Sequence, residues 1–156
     1  MSNSLRSGSV LTQEQSRSLP LLLNMIIPPA PDRGMPGAGD LDFIGYMTEF
    51  EPGLIEAVQL ELDTLNQKAR EYYMRTFADL HPDDRDRLVH RLRSENVQFA
   101  QTIVVNAMAC YYQDDRVVVA LGMEARPPFP KGNEVKSGDL SLLDPVRKRK
   151  QLYRDA

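Results

Sequence analysis

Two histidines, one cysteine and a run of aspartates are the residues of this 156-residue chain with the most obvious chemistry to offer. His81 and His90 stand nine apart in and before "HPDDRDRLVHRL", and no third ligand follows at metal-site spacing. The better reading places His81 at the cap of a helix that begins with Pro82, and His90 on its solvent face. Asp83, Asp84 and Asp86 look like a carboxylate cluster, yet acidic residues in a first helical turn are explained by the positive end of the helix dipole. Cys110 falls inside the apolar run "VQFAQTIVVNAMACYY". A buried, inert thiol is the usual state there, whereas a nucleophile needs an electropositive, partly exposed niche. "PGAGD" at 36–40 holds two glycines but no G-x-G-x-x-G, no following lysine and no preceding strand, so it reads as a loop and not as a phosphate cradle. "RKRK" at 147–150 is one basic cluster in an acidic protein without a nucleic-acid motif, which favours a solvated or partner-facing run. No catalytic, cofactor-binding or metal-ligating residue is therefore expected, and no nucleic-acid partner.

The elements that would position these residues are helices almost throughout. Thr12 to Gln15 fits a capping box ahead of a helix reaching Ile27, with Pro20 expected to kink it or restart it at Ser18. Pro28 and Pro29 end it, and "PAPDRGMPGAGD" is a loop. Asp40 is the expected cap of a short helix carrying Leu41, Ile44 and Met47 on one side. Pro52 opens the longest helix, whose stripe runs Leu54, Val58, Leu62, Leu65, Ala69, Tyr72, Tyr73, Thr76 and Phe77. The helix over Asn96 to Tyr112 is apolar around most of its circumference and should be central, with Phe99, Ile103, Ala107 and Tyr111 as its inward line. "DDRVVVALG" reads as a last short helix capped by Asp114 or Asp115 and closed by Gly122, with a strand as the alternative that its β-branched residues leave open. The expected fold is all-α: a small single-domain bundle of about six helices with an extended, irregular C-terminal tail. Residues 1–10 would be a flexible N-terminus, 11–125 the helical domain and 126–156 the tail.

The length fits one domain, and no run approaches the roughly 20 apolar residues that span a bilayer. The start "MSNSLRSGSVLTQEQ" shows neither a Sec nor a twin-arginine signal, so a cytoplasmic location is expected. One cysteine suits a reducing compartment. The net charge of −3 is unevenly divided: residues 126–156 carry eight Lys/Arg against four Asp/Glu, a tail of +4 that leaves −7 for the rest. Ordering that tail costs roughly 1 kcal/mol per residue, which about 25 cal/mol per Å² of apolar burial would offset only with some 1,200 Å² of contact. Part of this contact is expected from a second protein. Pro127, Pro128, Phe129 and Pro130 would be its rigid start, and Leu142, Leu143 and Tyr153 later anchors. A tail that packs back over the helices, or stays disordered, is the alternative.

The order "LTQEQ…LLLNMIIPPAPDRGMPGAGDLDFIGYM", then "FADLHPDDRDRLVHRL", then "ACYYQDDRVVVALGMEARPPFP", resembles the gluconate 2-dehydrogenase subunit 3 family from Leu11 to about Pro130. The resemblance implies a non-catalytic helical subunit, without a cofactor of its own, bound to a large FAD-containing subunit of the glucose-methanol-choline type that oxidises sugars, sugar acids or glycosides. It also implies a cytochrome c subunit as electron acceptor in many complexes. Many members carry a twin-arginine signal that residues 1–12 lack, so a cytoplasmic complex similar to soluble glucoside 3-dehydrogenases is expected, with stabilisation or maturation of the partner as the subunit's task. The competing readings are a helical adapter or regulator unrelated to redox enzymes, and an independent small enzyme.

Overall fold

The computed structural model describes residues 10–125 and 137–149, and the chain divides after Ala125 into two units. The first is a helical domain. Its helix α1 (Gln13–Ile26) starts on a reciprocal cap: Gln15 N donates to Thr12 Oγ1 at 3.2 Å and Thr12 N donates to Gln15 Oε1 at 2.9 Å. Pro20 neither breaks nor restarts α1, which is continuous through it. Ser18 is no cap either, because its hydroxyl donates to Asn66 Oδ1 at 2.9 Å in the interior.

The loop after α1 folds back on the helix. Ala30 and Met35 pair through both backbone groups around left-handed Gly34, and Ala38 N donates to Ile27 O at 3.0 Å. Gly39 N donates to Asn24 Oδ1 at 2.8 Å, and a Cβ at Gly39 would sit 2.3 Å from Pro20 O. The glycines of "PGAGD" thus let a loop backbone lie directly on α1. Asp40 closes a short turn by accepting from Gly37 N, whereas helix α2 (Phe43–Phe50) is capped by Asp42, whose Oδ1 accepts from Gly45 N at 2.9 Å. Starting the helix there turns Phe43 and Met47 inward and leaves Leu41 and Ile44 half-buried, so the expected cap shifts by two residues.

A 3₁₀ turn at Pro52–Leu54 leads into α3 (Ile55–Tyr73), which buries Val58, Leu62, Leu65 and Ala69 and ends on Met74 in the left-handed region. Helix α4 (Pro82–Glu95) has His81 as its cap. One continuous rod follows: α5 (Val97–Phe99), the π-helical stretch π1 (Ala100–Val105) and α6 (Asn106–Gln113). Within it Asn106 Nδ2 donates to Thr102 O at 2.9 Å. Helix α7 (Asp115–Ala120) is capped by Asp114 and closed by Gly122 at φ +78°, which settles the helix-or-strand alternative for helix.

Helix α1 packs along α3, α3 on α4, and α2 on both α3 and α6. Leu22, Met47, Val58, Leu62, Leu65, Phe77, Ile103 and Val117 are fully enclosed. At the α1–α3 contact a buried amide ties three segments together: Asn66 Oδ1 accepts from Ser18 Oγ at 2.9 Å and from Phe77 N at 3.2 Å, while Asn66 Nδ2 donates to Leu62 O. Outside, Arg70 pairs with Glu14, and Arg17 with Asp79 at 2.6 Å. The fold is all-α; among the described residues the Ala30–Met35 bridge is the one β contact. The second unit contains a 3₁₀ turn (Leu140–Leu143) running into α8 (Asp144–Arg147), regular elements where the sequence offers no period.

Candidate functional site

The residues with reactive side chains do not converge. His81 and His90 are both exposed, and each faces one aspartate at 3.6 Å, Asp83 and Asp86 respectively. Among the described residues no group of three His, Cys, Asp or Glu side chains could hold a metal ion. Cys110 is buried, and burial, with the charges of Asp114 and Asp42 adding to it, pushes its thiol pKa up, away from the nucleophilic thiolate. Tyr111 points its hydroxyl at Pro36 O, 2.9 Å away, and so serves to pin the loop to α6. Its pKa is raised mainly by burial.

What the surface offers instead is apolar. In the first unit a groove of about 410 Å³ lies between α1, α4 and the rod. Its floor is Leu22, Val89 and Phe99, all buried. Met25 and Ile26 line it from the end of α1, Ile27 from the cap that follows, and Val104, Met108 and Tyr112 from the rod. Met108 and Tyr112 remain 46% and 55% exposed, and Val97 and Val105 on the same rod are more open still. The rod is therefore less covered than its all-round apolar sequence implies: Phe99, Ile103, Ala107 and Tyr111 do face inward, but a second apolar side faces out. Asp86, His90 and Arg93 follow one another along α4 beside the groove, at the i, i+4, i+7 spacing of a single helix face.

In the second unit Leu140, Leu142, Leu143 and Val146 are all exposed, Leu142 by 74%. Leu142 and Leu143, expected as partner anchors, thus share one short helical segment. Pro127, Pro128, Phe129, Pro130 and Tyr153 lie outside the described residues.

The family model for gluconate 2-dehydrogenase subunit 3 matches residues 13–122, most of the chain and nearly all of the first unit. The chain belongs to the gluconate 2-dehydrogenase subunit 3 family. The matched span runs from the first residue of α1 to Gly122, the glycine that closes α7. The family is one of small subunits of dehydrogenase complexes, so a subunit 3 chain implies a catalytic partner. No curated protein and no solved structure matches the chain at a significant level. Among the described residues no helix is long and apolar enough to cross a membrane. The groove is the feature that sequence reasoning missed. Its one legible signal is an excess of apolar residues, such as Met25, Met108 and Tyr112, beyond what a single buried stripe on each helix requires.

Proposed function

We propose that this subunit is non-catalytic and that it binds and stabilises, or matures, the large FAD-containing subunit of a sugar or glucoside dehydrogenase. The flavin belongs to the partner, and a cytochrome c subunit takes the electrons. The observation that carries this reading is the four large apolar side chains, Leu140, Leu142, Leu143 and Val146, left in solvent on the Leu140–Arg147 segment. A segment of eight residues cannot enclose its own apolar groups, and contiguous exposed apolar surface marks a protein interface. A subunit that binds only the folded flavoprotein raises its stability by mass action without contributing a catalytic group.

Copurification with the FAD subunit is the test. The full chain should bring down a yellow flavoprotein, while the chain purified alone should carry no flavin absorbance and oxidise no sugar. Removing residues 126–156 should leave a folded helical domain that captures far less flavoprotein. Phe129→Ala alone should weaken the complex by about 1–3 kcal/mol, as for a buried interface aromatic. A flavin on the lone chain, or no capture of a flavoprotein by the full chain, would overturn the proposal, and full capture by the truncated chain would move the interface from residues 126–156 onto the helices.

A further inference from the structure

We propose that the groove between α1, α4 and the rod is a second docking site on the catalytic partner: it receives the apolar face of an amphipathic helix and pairs a carboxylate of that helix with Arg93. This assignment rests on the accessory-subunit reading above. The groove's volume of about 410 Å³ lies in the range of sites that enclose a ligand. Its mouth is formed by Met108 and Tyr112, which the domain itself leaves half open. Methionine at the walls, Met25 and Met108, can adapt its three torsions to an incoming side chain.

The occupant's conformation follows from hydrogen bonding. An extended peptide would need a sheet edge to satisfy its backbone groups, and the walls of this groove are built from helices, which offer no strand edge. A helix satisfies its backbone internally, and so fits a groove between helices.

Its charge follows from the rim. Asp86 and His90 face each other at 3.6 Å. Arg87 is paired with Asp84 and Arg91 with Glu95, both on α4. Arg93, the third residue of the row lining the groove, has no ion pair or hydrogen bond among the described residues. The negative end of α4 attracts it only weakly and leaves its guanidinium donors open to an outside acceptor. A guanidinium beside an apolar wall selects a carboxylate placed next to large apolar side chains, and its position in the last turn of α4 gives the bound helix one direction.

A photo-crosslinking amino acid placed at Met108 in the full chain, co-expressed with the flavoprotein that copurifies with it, tests the assignment. The expected product is a crosslink to one peptide of the FAD subunit that carries Asp or Glu within a helical turn of Leu, Ile or Phe. Arg93→Glu should raise Kd at least tenfold, Arg93→Lys less, and exchanging the partner's carboxylate for lysine should restore binding to Arg93→Glu. Both positions are exposed, so circular dichroism of the variants should match the parent. A crosslink to a second copy of this chain, to its own residues 126–156, or to nothing while the flavoprotein still copurifies, overturns the groove and leaves the accessory-subunit reading standing. Failure of the unaltered chain to capture any flavoprotein overturns both.

Discussion

Asn66→Leu replaces the buried amide at the α1–α3 contact by an apolar group of similar volume, so the cost measures hydrogen bonding and not a cavity. Three bonds disappear, and they are unequal. Leu62 O keeps its backbone partner within α3, and loses little. Ser18 Oγ loses its acceptor but can turn toward a carbonyl of the preceding turn of α1. Phe77 N, buried where the chain enters the turn before α4, has no such alternative. An orphaned buried donor costs about 1–3 kcal/mol, and a hydrogen bond replaced by another costs less, which sums to about 2–4 kcal/mol. Urea unfolding followed by circular dichroism should show this as a lower midpoint with an unchanged slope. Ser18→Ala removes one of the bonded partners in advance, so in that background Asn66→Leu should cost about 1 kcal/mol less. A loss below 1 kcal/mol, or strict additivity of the two substitutions, would refute the idea that this amide holds α1, α3 and the 77–79 turn in register.

Gly39→Ala should destabilise the domain by about 1–3 kcal/mol in thermal melts, because the new Cβ would meet Pro20 O at 2.3 Å, a backbone atom that cannot swing aside. Tyr111→Phe should cost about 1 kcal/mol by removing the bond to Pro36 O, with protease sensitivity of the 28–42 loop rising in parallel. Glu61 is buried, and desolvation, only partly opposed by the bond from Asn96 Nδ2, raises its pKa. Its contribution is then fully present below the unfolded carboxylate value and lost as pH rises through the raised one. Glu61→Gln, which can still accept from Asn96, should gain stability over the parent as pH rises above the ordinary carboxylate range, and a difference that stays constant with pH would contradict it.

The features legible in the sequence are those decided within a few residues. Thr12 with Gln15, His81 before Pro82, Asp114 and Gly122 each act on their own helix end, and each stands where the sequence places it. Where two candidates compete locally, distant packing decides. Asp40 and Asp42 can both cap, and the burial of Phe43 and Met47 selects Asp42. Pro20 reads as a break because its lost hydrogen bond is local, whereas the contacts that keep α1 whole, with α3 and with the loop at Gly39, come from far along the chain. The groove shows in the sequence only as surplus apolar residues, for a related reason. An apolar residue announces that it avoids water, and says nothing about whether this chain or another supplies the cover.

The π1 stretch sets which side of the rod meets water. In an α-helix each residue turns about 100°, so a four-residue step overshoots by about 40°, and the three steps from Phe99 to Tyr111 would drift by about 120°. One widened turn accommodates an extra residue and takes back about 100° of that drift, which is how Phe99, Ile103, Ala107 and Tyr111 can all be buried in one line. The same phase correction fixes Met108 and Tyr112 at the groove. Deleting a single exposed residue such as Gln101 would close the wide turn, and the downstream half of the rod would be dialled round by about 100°. Tyr111 would leave Pro36, and the groove would lose its outer wall without any of its side chains having been changed.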